Sequence, residues 1–171
     1  MKSKTLIAVV GAARELAAAN SNARELGELI AAEGWILITG GRNAGVMRAA
    51  NEGAKQVEGS ITVGILPNAG FDVAPDVDVP VITGIGQARN NIIVLSADVV
   101  IACGVDGAGT TSEVALALKN RKQVVLLGVK DSAHNFFAEI GGDRVHRSET
   151  PSEAVRIVKT LLGESDSHEL G

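Results

Sequence analysis

One repeated unit limits how this chain can fold: a short run of aliphatic and β-branched residues, a glycine turn, then a helical stretch. Thr5 to Val10 reads as a buried strand ending at Gly11, and after a polar, alanine-rich stretch a helix follows from about Asn22 to Glu33. Ala23, Leu26 and Ile30 mark its inner face. Gly34 stops it, Ile36 to Thr39 form a second strand, and Gly40-Gly41 turn the chain into a helix from about Gly45 to Glu58. Further strands are expected at Ile61 to Leu66, Val79 to Ile82, Val99 to Ala102 and Val124 to Leu127, with helices at Gln87 to Ser96 and Thr110 to Lys119. The stretch from Gly128 to Gly142 reads ambiguously. Pro151 suits a helix start, followed by Val155, Val158 and Leu162 at helical spacing.

Strands that alternate with helices over short connections imply parallel pairing, because parallel neighbours need right-handed crossovers. The expected fold is α/β: one Rossmann-like three-layer domain over residues 1–162, with a mostly parallel sheet flanked by helices and a polar, flexible tail at 163–171. A length of 171 residues fits one domain and suffices for a core without disulfides or metals. Hydrophobic residues make up 46% of the chain but aromatics only 2%, so Val, Ile, Leu and Ala must do the packing, as in sheets buried on both faces.

Sixteen basic against twenty acidic residues give a net charge of −4, which offers no broad attraction for a polyanion, and the few aromatics leave little for base stacking. Nucleic acid is therefore not an expected partner. The apolar run from Ile92 to Cys103 is broken by Ser96 and Asp98 and is too short for a membrane helix. With no evident signal peptide and a lone cysteine, the expected location is cytoplasmic. His134, His146 and His168 are scattered, so no protein-bound metal site is expected. Cys103 and Trp35 read as packing residues. Pro67 to Asp78, with two prolines and three aspartates, reads as an irregular loop, either a lid or a solvated connection.

In such sheets, ligands bind beyond the carboxyl ends of the strands, where helix N-termini converge. Gly11 ends the first strand there. The turn Thr39-Gly40-Gly41-Arg42-Asn43-Ala44-Gly45 lets a ligand approach main-chain amides through Gly40, Gly41 and Asn43, although a strand-to-helix turn also needs glycine sterically. The turn from Gly104 to Glu113 holds Asp106, Gly107, Gly109, Thr110 and Thr111 at a helix mouth. Its free N–H groups, the positive end of the helix dipole and two hydroxyls would seat a phosphate, unless Thr110 simply caps the helix. It lacks the Gly-Lys-Ser/Thr ending of a Walker loop. Glu113 would either point over the crevice or close a capping box with Thr110. Arg89, at the start of the preceding helix, could fork onto the phosphate or lie on the surface, and the Asp106 carboxylate would oppose a bound anion.

Thr39 to Met47 continuing to Ala54, Gly64 to Pro67, Thr83-Gly84 with Ala88-Arg89-Asn90, and Gly107 to Glu113 resemble the bacterial and algal molybdenum-cofactor-carrier-like proteins. The match spans about Thr5 to Leu127. That family lies in the superfamily of the Lonely Guy phosphoribohydrolases, often mislabelled lysine decarboxylases, and the resemblance implies a Rossmann-like fold and a homodimer or homotetramer. The hydrolases carry a Pro-Gly-Gly-x-Gly-Thr-x-x-Glu motif. Here Gly107, Gly109, Thr110 and Glu113 keep its frame, while Val105 and Asp106 replace Pro-Gly and their Arg-Lys pair becomes Arg89-Asn90.

Two functions follow. The first is a carrier that holds a phosphorylated heterocycle, with molybdenum cofactor (molybdopterin) the ligand the resemblance implies. Gly107, Gly109, Thr110 and Thr111 would hold its phosphate, Arg89 would balance charge, and Asp106 would pair with the amino-pyrimidinone edge of the pterin. The second is a nucleoside 5′-monophosphate phosphoribohydrolase that frees a base of the cytokinin or AMP class, with Glu113 and Arg89 catalytic. Binding carries over from the resemblance more readily than turnover, because the hydrolases' lysine and loop are altered. A third class, DNA handling, exists in a related branch but conflicts with the acidic balance.

Overall fold

The computed structural model describes residues 4–70 and 72–164; the expected tail beyond Glu164, with His168, lies outside them. Seven strands form one sheet in the order β4-β3-β2-β1-β5-β6-β7. They are β1 Leu6–Gly11, β2 Ile36–Thr39, β3 Thr62–Leu66, β4 Val79–Ile82, β5 Val99–Cys103, β6 Gln123–Leu127 and β7 Val145–Ser148. Every pairing within it is parallel, from β3·β4 at one edge to β6·β7 at the other. The helices are α1 Ala17–Ala32, α2 Gly45–Ala54, α3 Asn90–Ser96, α4 Ala108–Lys119, α5 Asp131–Gly141 and α6 Pro151–Leu162, with a 3-10 turn at Gly86–Arg89 ahead of α3.

Period-two alternation along the central strands divides the core into two layers. Ile7 and Val9 of β1, with Ile101 of β5 and Leu127 of β6, pack under α1, α2 and α6. Ala8 and Val10, with Val100, Ala102 and Leu126, face the opposite way onto α3, α4 and α5. Leu26 and Ile30 of α1 are fully buried, which at about 2 kcal/mol each makes that helix a major contributor to the first layer.

The largest departures from the sequence reading are at α1 and in the ambiguous stretch, while α2 stops at Ala54 and the helix expected from Gln87 is a 3-10 turn that leads into α3. α1 begins at Ala17, well before Asn22, because Ala17-Ala18-Ala19 has high helix propensity but no large apolar side chain to advertise a buried face. The ambiguous stretch holds α5 and then β7, whose Val-His-Arg-Ser sequence carries one apolar residue. As an edge strand it is held by pairing with β6, so it needs no apolar run.

The chain moves outward from β1 through β2, β3 and β4, then returns to the other side of β1 for β5, β6 and β7. The strand order therefore reverses between β1 and β5, and a crevice opens beyond their carboxyl ends. No helix among the described residues is long and apolar enough to cross a membrane.

Candidate functional site

A cavity of about 690 Å³ lies at this switch point. The end of β1 and the loop after it supply Gly11 to Arg14, the β2–α2 turn supplies Arg42, α2 supplies Met47, and the 3-10 turn supplies Gln87 and Arg89, with Asn90 at the start of α3. The β5–α4 turn and the first turns of α4 supply Asp106 to Thr110, Ser112 and Glu113. Of the residues singled out in sequence, Gly11, Arg89, Asp106, Gly107, Gly109, Thr110 and Glu113 line the cavity, whereas Gly40, Gly41, Asn43 and Thr111 do not.

Those four have other work. A Cβ on Gly40 would lie 2.4 Å from Arg89 Nη1, so this glycine lets the guanidinium pack over the end of β2. Gly41 has φ of +70°, and a Cβ there would sit 2.8 Å from the Gly64 Cα, so it serves the close approach of the turn to β3. Asn43 is spent on Asp72, its backbone N–H donating to the Asp72 carbonyl at 2.9 Å and its Nδ2 to the carboxylate at 3.0 Å. The Thr111 hydroxyl donates to the Gly107 carbonyl at 3.0 Å, back-bonding within its helix instead of facing a ligand.

The Pro67 to Asp78 loop is a strap. Besides the Asn43–Asp72 bonds, Ala74 N–H donates to the Gly41 carbonyl at 2.9 Å, and Arg42 and Val73 form an antiparallel bridge. The loop holds the β2–α2 turn, and none of its described residues lines the cavity.

At α4 the arrangement is open. Gly107 is the N-cap, with extended backbone (φ −179°) and no capping side chain. Thr110 therefore sits in the first turn, is not the cap, and Glu113 has no capping box to close. The first helical bond runs from Thr111 N–H to the Gly107 carbonyl, so the amides of Ala108, Gly109 and Thr110 have no acceptor among the described residues. Gly107 and Gly109 need no left-handed backbone, and a Cβ on either would meet nothing within 4 Å. Gly107 to Thr110 line the cavity, and the helix dipole favours an anion there.

Arg89 and Glu113 form the floor. Arg89 is 5% exposed, and its Nε and Nη1 have no hydrogen-bond partner. Glu113 is 8% exposed and is not within ion-pair distance of Arg89. Burial pushes the Glu113 carboxyl up to about 7 despite the pull of Arg89. Burial likewise lowers the Arg89 guanidinium, against the pull of Glu113 and with the push of Arg42. For both groups lost hydration outweighs their mutual attraction, so each is left short of a counter-charge. Beside them, the buried Asn90 Oδ1 has no donor.

Asp106 lines the cavity as an acid, with its Oδ2 against Gly104, where a Cβ would stand 2.8 Å away. Its carbonyl accepts a 3.1 Å bond from Arg14 Nη2. Cys103 is buried with its thiol pushed up to about 12, which leaves it a packing residue. No group of three or more His, Cys, Asp or Glu side chains could hold a metal ion among the described residues. Sequence reasoning passed over Arg14, Arg42, Met47, Gln87 and Asn90. Arg42 and Asn90 stood inside the quoted motifs, whereas Arg14 had as signal only its position after the strand-ending Gly11.

Fold and cavity together define a Rossmann-like α/β protein with open helix amides and an unpaired arginine at its switch point. The chain belongs to the SLOG cluster4 family, whose model matches residues 4–155. It is similar to the molybdenum cofactor binding protein of the phototrophic bacterium Rippkaea orientalis, with a TM-score of 0.90 and 46% identity, covering 95% of this chain and 99% of that one. The molybdenum cofactor carrier protein of Chlamydomonas reinhardtii superposes with a TM-score of 0.89 at 42% identity, over 95% of this chain and all of that one (100%). An uncharacterised protein of Archaeoglobus fulgidus is 45% identical over 134 residues, 78% of this chain and 80% of its own length.

Proposed function

We propose that this protein binds molybdenum cofactor as a carrier, with the cofactor's phosphate on the amides of Ala108, Gly109 and Thr110. One observation carries the placement: the residues of those uncapped amides line the cavity, beside glycines whose backbone and packing give no internal reason to be glycine. The donor set fits such a cargo. The amides and Thr110 hydroxyl suit a phosphate monoester, Arg89 supplies unspent positive donors, and Asn90 Oδ1 accepts from a heterocycle N–H. The likeness to the two solved carriers favours holding over hydrolysis, as does Asn90 standing where the hydrolases have lysine.

The test is equilibrium binding of molybdenum cofactor to the wild type and to Ala108→Pro. Ala108 is the first residue of α4, where proline removes one amide without breaking the helix, and Gly107 is already extended as a residue before proline requires. Tight binding that weakens about tenfold in the variant, roughly 1.4 kcal/mol, is expected. Base release from AMP or cytokinin nucleotides that vanishes in Glu113→Ala would replace the carrier reading with the hydrolase.

Self-association belongs to the same proposal. Val79, Val81 and Ile82 on the edge strand β4, with nearby Ile85, are exposed and carry no charge to deter pairing, so a second copy is the natural cover. Sedimentation should show a dimer or tetramer that Val81→Lys dissociates. A cytoplasmic location suits a phosphorylated cargo, which does not cross membranes unaided.

A further inference from the structure

An exposed cation stands at the rim of the α4 amide seat. Arg14, in the loop between β1 and α1, donates from Nη2 to the Asp106 carbonyl on the neighbouring β5–α4 turn at 3.1 Å, and both residues line the cavity. The chain on either side of Arg14 is fixed to the start of α2. Val46 N–H donates to the Ala12 carbonyl at 3.0 Å, and a Cβ on Gly45 would stand 2.8 Å from the Ala13 carbonyl carbon. Glu15 Oε1 accepts from Gly45 N–H at 3.3 Å and from Arg48 Nη2 at 2.9 Å. The arginine thus leaves an anchored loop and ends on main chain that leads directly into α4, because Asp106 precedes the N-cap Gly107 and the open amide of Ala108 comes next.

One carbonyl occupies little of this group's capacity. A guanidinium has five N–H donors, and Arg14 forms no ion pair with a carboxylate among the described residues. Its charge also offsets that of Asp106, whose carboxylate belongs to the same wall and repels an anion placed at α4. Arg89, buried against Gly40 at the end of β2, serves the floor instead.

We propose that Arg14 is the phosphate clamp of this cavity: its guanidinium, held at the Asp106 carbonyl, forks onto the oxygens of a phosphate monoester seated on the α4 amides. The assignment rests on the placement of a phosphate at α4 and is independent of the ring that the phosphate carries. Arginine's planar fork matches two oxygens of a phosphate where a lysine offers a point charge. The amides fix the position of the anion and Arg14 supplies the exposed charge, so Arg14 also sets how steeply salt weakens binding.

Titration with inorganic phosphate at several sodium chloride concentrations tests the clamp. Wild type should bind phosphate, and Ala108→Pro should weaken that binding. Arg14→Gln should weaken it about tenfold, with part of the loss recovered by Arg14→Lys. The fall in affinity with added salt should be shallower in Arg14→Gln than in wild type. Thermal unfolding of Arg14→Gln should match wild type; if it does not, the Arg14→Lys recovery and the salt response still separate a lost charge from a loosened loop. Phosphate binding and salt response unchanged in Arg14→Gln overturn the proposal. So does equal loss in Arg14→Gln and Arg14→Lys with an unchanged salt response, which marks a structural tie alone. No phosphate binding by wild type, or binding that Ala108→Pro leaves untouched, overturns it as well. The carrier reading is judged apart: phosphate results as expected without binding of molybdenum cofactor keep the clamp and remove that reading, whereas cofactor binding indifferent to Arg14→Gln removes the clamp and keeps the reading.

Discussion

The two glycine-rich turns look alike in sequence and do opposite things. In the turn from Thr39 to Gly45 the protein occupies its own groups: Thr39 Oγ1 accepts from Gly41 N–H at 3.1 Å and from Asn51 Nδ2 at 3.1 Å. The N-terminus of α2 is likewise filled, with Gly45 N–H donating to Glu15 Oε1 at 3.3 Å and Val46 N–H to the Ala12 carbonyl at 3.0 Å. At α4 the equivalent amides are open, and the glycines face space. A glycine turn therefore signals ligand binding only when neither backbone strain nor packing already explains the glycine.

Substitutions can break or sharpen this contrast. The largest effect belongs to the closed turn: Gly41→Val should destabilise the fold by about 3 kcal/mol or more, from an unfavourable φ plus a collision with β3. A shift in the urea midpoint worth under 1 kcal/mol would show that the turn is looser than described.

Glu113 comes next. Its carboxyl holds a proton in the folded protein up to about 7 but releases it near 4.5 when unfolded. Folded protein thus binds more protons between those values, and stability falls as pH rises from about 4.5 to 7, by roughly 3 kcal/mol in total. Glu113→Gln should flatten that slope and be the more stable form at pH 8. Parallel pH profiles for the two proteins would contradict the burial argument. An anionic ligand favours the protonated carboxyl, so wild-type binding should weaken as pH rises through 7.

Arg89→Met should reduce cofactor binding about 100-fold, some 2.7 kcal/mol, while stability holds or rises because a buried unpaired cation is gone. The smallest change tests the open turn: Gly109→Ala should leave stability equal or up to about 1 kcal/mol higher, as alanine favours helix, yet weaken binding roughly tenfold. Equal losses of folding and binding would erase the distinction between the turns.

Much of the site was legible because its residues share one motif and one helix. Gly107, Gly109, Thr110 and Glu113 are neighbours in sequence, so a helix beginning nearby brings them to one mouth. Arg14 and Arg42 were not, since they reach the cavity through loops whose path depends on contacts across the sheet.

Sequence alone determined the α/β alternation, the reliance on aliphatic packing and the glycine turns at strand ends, since these follow from local periodicity and from glycine's lack of a side chain. Tertiary structure decided which glycines serve the protein and which leave room for a ligand, and that Arg89 is buried without a partner. Those outcomes depend on what stands opposite each residue across the fold, where Gly40 meets Arg89 and Gly41 meets Gly64.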